Sequence, residues 1–154
     1  MCQTPSTPAS VAPAVFRGAG VNPAPLSFRV RFAAAWPRPV LDAERLDVFH
    51  VSVELYGLVP QLLERADRNL RDPLERASSS VTLNICEGAA RRAPREKAHF
   101  FAIARGSAAE SAAIVHLLLS RGRVSILEAK RARALVVRIV AMLTRLEQRF
   151  RQCP

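Results

Sequence analysis

From Leu46 onward apolar residues recur every three or four positions, the spacing of a helix with one buried face, and four such runs follow one another along the chain. In the first, Leu46, Phe49, Val53, Tyr56, Pro60 and Leu63 form an a/d seam and predict a helix from about Asp42 to Ala66. A bend is expected near Pro60, which has no N–H to offer the Tyr56 carbonyl. The polar segment Asp67-Arg68-Asn69-Leu70-Arg71 reads as the first turn. Asp72 then suits an N-cap with Pro73 at the first helical position, and Leu74, Ala77, Val81, Asn84 and Gly88 share one face of a second helix. Gly88 is placed to end that helix in a left-handed conformation, ahead of a basic connection over residues 89–93.

The third run begins at Pro94 and is predicted to reach about Arg121, with Gly122 as its stop. Between Gly106 and Ser120 its only formal charge is Glu110, and small residues crowd positions 106–113. Small side chains permit close backbone approach, so Gly106 is expected at a tight helix contact and the helix is expected to be covered on several sides. The fourth run opens with Ser125-Ile126-Leu127-Glu128, a capping box. Ala132, Val136, Ile139, Leu143, Leu146 and Phe150 make its core stripe, while Leu135, Val137, Val140 and Met142 widen the apolar surface beyond the roughly 100° one core needs. The surplus is expected to form a subunit interface.

The first 41 residues break this pattern. Seven prolines interrupt them, and Phe16, Phe28, Phe32 and Trp36 follow no period, so they are expected to be disordered, leaving 42–151 as the helical domain. No secretory-signal layout or uninterrupted apolar span of membrane length is present, and three cysteines without CxxC spacing suit a reducing compartment. A cytoplasmic protein with no membrane role is expected. The net charge of +10 is unevenly distributed: residues 42–90 hold five basic against nine acidic residues, and residues 91–154 hold fourteen basic against four acidic. A cationic surface on folded helices points to an anionic partner, and the acidic front half offers an internal or intersubunit one.

The sharpest chemical signal is Arg131, Arg138, Arg145 and Arg149, spaced seven, seven and four, which at about 100° per residue fall within an arc of roughly 40°. Guanidinium forks match phosphate geometry and stay charged, so this row suits a nucleic-acid backbone. A solvated face paired with acidic residues of a neighbour is the competing interpretation. Arg91, Arg92, Arg95 and Lys97 add charge around the turn between helices two and three, without aromatic interleaving that would support base stacking. Asn84, Glu87, Arg105, Ser107 and Glu110 are polar residues within apolar helices, read as an interhelical network fixing register rather than as acid/base machinery. His50, His99 and His116 lack metal-ligand spacing, Ser78-Ser79-Ser80 has no triad partners, and Cys86 reads as a small apolar residue. No metal, no cofactor and no enzymatic activity are expected.

Leu46-Asp47-Val48-Phe49, Ala77-Ser78, Asn84-Ile85-Cys86-Glu87-Gly88 and Ala104-Arg105-Gly106-Ser107-Ala108-Ala109-Glu110 together resemble proteins encoded in intervening sequences of bacterial 23S ribosomal RNA genes. The resemblance spans about Glu44 to Phe150. It implies an all-α antiparallel up-down four-helix bundle that assembles as a homopentameric ring. Gly88 and Gly106, lacking side chains, are expected at close helix contacts. The resemblance also implies kinship with the accessory protein of diversity-generating retroelements, a basic barrel that associates with a reverse transcriptase and its RNA. RNA, DNA or a protein such as a reverse transcriptase are therefore the partners to expect beside the homo-oligomer. The chain departs from the family pattern at Pro73 and Glu75, where relatives commonly have Gln and Arg, and at Ala93, where serine is frequent. The N-terminal extension has no counterpart in the family, which raises the expectation that translation starts near Val40 or Leu41.

Overall fold

The structure is a computed structural model and describes residues 41–152. The expectations of disorder and of a late translation start concern residues outside that range. A short 3-10 turn at Asp42–Arg45 leads into α1 (Asp47–Arg65), α2 (Arg68–Ala90), α3 (Pro94–Ser120) and α4 (Ile126–Arg151), and no strand occurs among the described residues. α3 packs along both α2 and α4, and α1 closes against α2 and α4, so the four helices surround one core. Phe101, Leu74, Ile85, Leu118, Ile139 and Leu143 are its largest fully buried side chains. Each removes its apolar surface from water, worth about 1.5–3 kcal/mol per side chain before chain entropy is set against it.

Ion pairs show which helix ends meet. Arg65 at the end of α1 pairs with Glu128 in the first turn of α4, and Asp67 between α1 and α2 holds Arg121 and Arg123 from the α3–α4 connection. At the other end, Phe101 of α3 stacks near Phe150 of α4, with ring centroids 5.9 Å apart. By length and composition α3 could also cross a membrane, yet its Phe101, Ala104, Ala108, Ser111, Val115 and Leu118 are buried against the other helices.

Helix boundaries follow local chemistry. Ser125 Oγ accepts from the Glu128 N–H at 3.2 Å while the Ser125 N–H donates to Glu128 Oε2 at 2.7 Å, completing the anticipated capping box. Gly122 ends α3 with φ +66°, the only positive φ among the described residues. Three expectations need correction. α1 buries Val48, Val51, Ser52, Leu55, Leu58, Val59 and Leu62, whereas Tyr56 and Pro60 are exposed. Its core face is thus rotated from the predicted seam, because at about 100° per residue the apolar positions of this helix span an arc of roughly 220°, wide enough to hold both stripes. α2 starts at Arg68, not at Pro73, which sits in its second turn. Gly88 does not terminate α2: the helix continues to Ala90, and Gly88 makes room for a neighbouring side chain instead.

The excess apolar face of α4 is also used differently. Leu135 is buried and Val140 and Met142 pack against the core of the same chain, leaving Val137 half exposed. Apolar surface remains uncovered on α2 at Leu83 and on α3 at Ile103 and Leu117.

Candidate nucleic-acid interface

α4 is fixed by its capping box at one end and by its Val136, Ile139 and Leu143 stripe along its length, so its opposite face is held outward. Arg131, Arg138, Arg145 and Arg149 all lie on exposed positions of that helix. At about 1.5 Å per residue, the row from Arg131 to Arg149 extends about 27 Å. Arg131, Arg138 and Arg145 have no ion pair or hydrogen bond among the described residues, and the Arg149 guanidinium lies 6.0 Å from the Phe150 ring centroid. The positive charge of Arg131, Arg138 and Arg145 is therefore open to an external anion.

The basic turn between α2 and α3 divides by role. Arg92 and Arg95 are exposed and unpaired among the described residues. Arg91 forms an ion pair with Glu87 one turn back and lies over the Phe100 ring at 5.0 Å. Lys97 is committed to the fold: its Nζ donates to the Ala89 carbonyl at 2.8 Å and lies 5.7 Å from the Phe150 ring. That contact places the C-terminal end of α4 beside the α2–α3 turn. An open recess of about 400 Å³ there is lined by Arg91, Arg95, Glu96, His99 and Phe100, so one aromatic does accompany the basic residues.

The five polar residues anticipated as one network fall into separate groups. Asn84 Nδ2 donates to the Ser80 carbonyl and hydroxyl at 2.8 and 3.0 Å, and Ser80 shares a 2.9 Å hydrogen bond with Ser107 across the α2–α3 contact. Arg105 pairs instead with Glu147 of α4 at 3.1 Å, Glu87 pairs within its own helix, and Glu110 is exposed. Side-chain direction divides them: Ser107 meets Ser80 across the α2–α3 contact, Asn84 turns back onto its own helix, and Glu110 is exposed on α3. Glu147, which also receives Arg151 at 2.8 Å, is the buried acid of the chain and was missed. Its position four residues after Leu143, continuing the core stripe, is the signal that could have found it. A second link, Thr82 Oγ1 donating to Ser52 Oγ at 3.0 Å, joins α2 to α1.

The two glycines differ sharply. A Cβ on Gly88 would stand 3.0 Å from Phe101 Cε1 and 3.2 Å from Phe100 Cβ, so here the backbone of α2 approaches α3 closely. Gly106 is exposed, and a Cβ there would meet nothing within 4 Å in the single chain, so the tight contact anticipated for it does not occur within one protomer.

Reactive groups are subdued. Burial, with a smaller contribution from Glu44, pushes the Cys86 thiol above its ordinary pKa, away from the thiolate. Ser78 and Ser79 return their hydroxyls to the Leu74 and Glu75 carbonyls at 2.6 and 2.8 Å. No group of three or more potential metal ligands occurs among the described residues.

Comparison with curated proteins gives no match. The family model described as 23S rRNA-intervening sequence protein matches residues 46–145, which takes in α1, α2, α3 and most of α4. The match covers the runs at residues 84–88 and 104–110 and well over half of the sequence, and the chain belongs to the 23S rRNA-intervening sequence protein family.

Proposed function

We propose that this protein is a non-enzymatic, oligomeric helical scaffold that binds RNA or DNA through its sugar–phosphate backbone. The carrying observation is the row on α4, in which Arg131, Arg138 and Arg145 are exposed and uncompensated by any described carboxylate. Arg92 and Arg95 extend the cationic surface at the end where Lys97 meets Phe150. Backbone phosphates would supply affinity, while sequence choice would come from a partner or from nucleic-acid shape.

In this reading the four helices run antiparallel in up-down order, consistent with the ion pairs that tie Arg65 to Glu128 and Asp67 to Arg121. The protomers assemble as a homopentameric ring through the uncovered face of α3, where Ile103, Gly106, Ala109, Ala113 and Leu117 lie exposed at helical spacing. Ring symmetry would repeat the arginine row around the assembly. The compartment is the cytoplasm.

The test is binding of the full chain to short RNA and DNA strands and duplexes across a salt series, with oligomer mass measured on the same sample. Affinity should fall steeply with salt and fall again in Arg138→Glu/Arg145→Glu. A well-folded oligomer with no affinity at low salt refutes the nucleic-acid role. The second reading, a ring that docks protein and not nucleic acid, is favoured by one observation: Leu83 is 66 % exposed on α2, outside the α3 strip.

A further inference from the structure

A second cationic feature lies where the α1–α2 turn meets the α3–α4 connection. A notch of about 540 Å³ opens there, with Arg65, Arg68, Arg71 and Arg123 among its walls beside Glu64 and Asp67. These arginines are differently committed. Arg71 donates from Nε to the Ala66 carbonyl at 3.1 Å and from Nη2 to the Glu64 carbonyl at 3.4 Å. Both acceptors are neutral, so Arg71 is held in place with its charge uncompensated. Asp67 is shared by Arg121 at 2.8 Å and Arg123 at 2.7 Å, one negative charge between two guanidiniums. Arg65 is taken by Glu128, and Arg68 has no ion pair or hydrogen bond among the described residues. Positive charge therefore exceeds negative around a concave space.

We propose that this notch binds a condensed phosphate, a diphosphate or longer unit. Guanidinium forks complement phosphoryl oxygens in paired hydrogen bonds. The space is larger than a single phosphate requires, and no aromatic side chain lines it to receive a base. Arg68 and Arg71 approach from the first turn of α2 and Arg123 from the facing connection, so adjacent phosphoryl groups can be engaged from two sides. Asp67 acts as the organiser: its Arg121 hydrogen bond, aided by Arg123, holds its carboxyl below the ordinary carboxylate range, so it stays ionised and keeps both arginines at the wall. Free diphosphate and the 5′-triphosphate end of an RNA strand present the same chemistry. The site is separate from the outward row of α4 and does not depend on it.

Titration of the full chain with sodium diphosphate, at ionic strength held constant with sodium chloride, tests the proposal. Saturable binding of one diphosphate per chain is expected, weakened at least about tenfold in Arg68→Glu, with ligand-free melting not lowered, because Arg68 is exposed without an ion pair or hydrogen bond among the described residues and an acid is favoured in the first turn of a helix. Arg123→Gln should weaken binding as well, while Arg133→Glu, exposed on α4 and not part of the notch wall, should leave it unaltered. Displacement of diphosphate by 5′-triphosphorylated RNA but not by the same RNA with a 5′-hydroxyl would assign the site to RNA ends. Equal behaviour of the two RNAs, with saturable diphosphate binding, would assign it to the free anion. Binding that does not saturate, or that is as tight in Arg68→Glu as in the parent, overturns the proposal.

Discussion

Replacing each helical glycine by alanine should move stability in opposite directions at Gly88 and Gly106. Both lie inside long helices, where alanine is favoured over glycine by about 0.8–1 kcal/mol through backbone entropy alone. At Gly106 a Cβ would meet nothing within 4 Å, so Gly106→Ala should realise about that gain in the isolated chain. At Gly88 the new methyl would stand 3.0 Å from Phe101 Cε1 and 3.1 Å from Cδ1, well inside van der Waals separation. Phe101 is 1 % exposed and packed near Phe150, so it cannot swing aside without disturbing the core. Overpacking of this kind costs about 1–3 kcal/mol, which exceeds the entropic gain, and Gly88→Ala should be destabilising by up to about 2 kcal/mol. Gly88→Val should be worse, since a branched side chain adds both contact and lost rotamer freedom. The assay is urea unfolding followed by circular dichroism, repeated at several protein concentrations because self-association would shift the midpoint by mass action. Adding Phe101→Leu to Gly88→Ala should recover part of the loss, a coupling that only direct contact produces. An equal stabilisation by both alanines would falsify the packing at Gly88.

Other substitutions probe the remaining features. Leu55→Asp should abolish folding while Tyr56→Asp should be tolerated within about 0.5 kcal/mol, read by melting temperature; comparable loss at both would restore the unrotated seam of α1. Glu147→Ala should cost about 1–3 kcal/mol by urea unfolding, because it removes a buried acid that two arginines share, and an unchanged midpoint would reduce that pair to a surface ornament. Asp67 and Glu128 are both held below their ordinary carboxylate pKa, the first chiefly by the Arg121 hydrogen bond and the second chiefly by the Ser125 hydroxyl. A depressed folded-state pKa stabilises the fold above the unfolded value, and that contribution is lost as pH falls through the folded one. Melting temperature should therefore drop below about pH 4, and Asp67→Asn should flatten part of that drop. Gly106→Leu should leave the melting of a dilute protomer close to that of Gly106→Ala but reduce oligomer mass; a native mass would remove α3 from the proposed interface.

How much the sequence reveals depends on whether a feature is local. The Ser125 capping box and the Gly122 stop are made by residues within a few positions of one another, and both are legible without tertiary information. The arginine row is likewise visible, since it needs only helical periodicity. The face of α1 is not, because Val48, Leu55 and Leu62 compete with Leu46, Phe49 and Val53 and only packing against α2 and α4 chooses between them. Asp72-Pro73 imitates a helix start so well that the true beginning at Arg68, anchored by Arg71 reaching back to the Ala66 carbonyl, is hidden. The partners of Arg105 and Ser80 are 42 and 27 positions away, a distance over which residue type says little about pairing. At Gly88 the sequence suggests both a helix stop and a close contact, and only the contact, against Phe101, is present.

The clasp between Arg65 and Glu128 joins residues 63 positions apart and closes the circuit of helices from α4 back to α1. Closing so long a loop is entropically slower than pairing α2 with α3 or α3 with α4, whose partners are neighbours along the chain. During synthesis α4 emerges last, so α1 leaves the ribosome long before half of its burial exists. Until then the side of α1 that meets α4 must stay exposed or rest on whatever apolar surface is at hand. The price of this architecture is a nascent chain whose first helix waits for its last, and whose stalled or truncated products are the species that chaperones and proteases would meet.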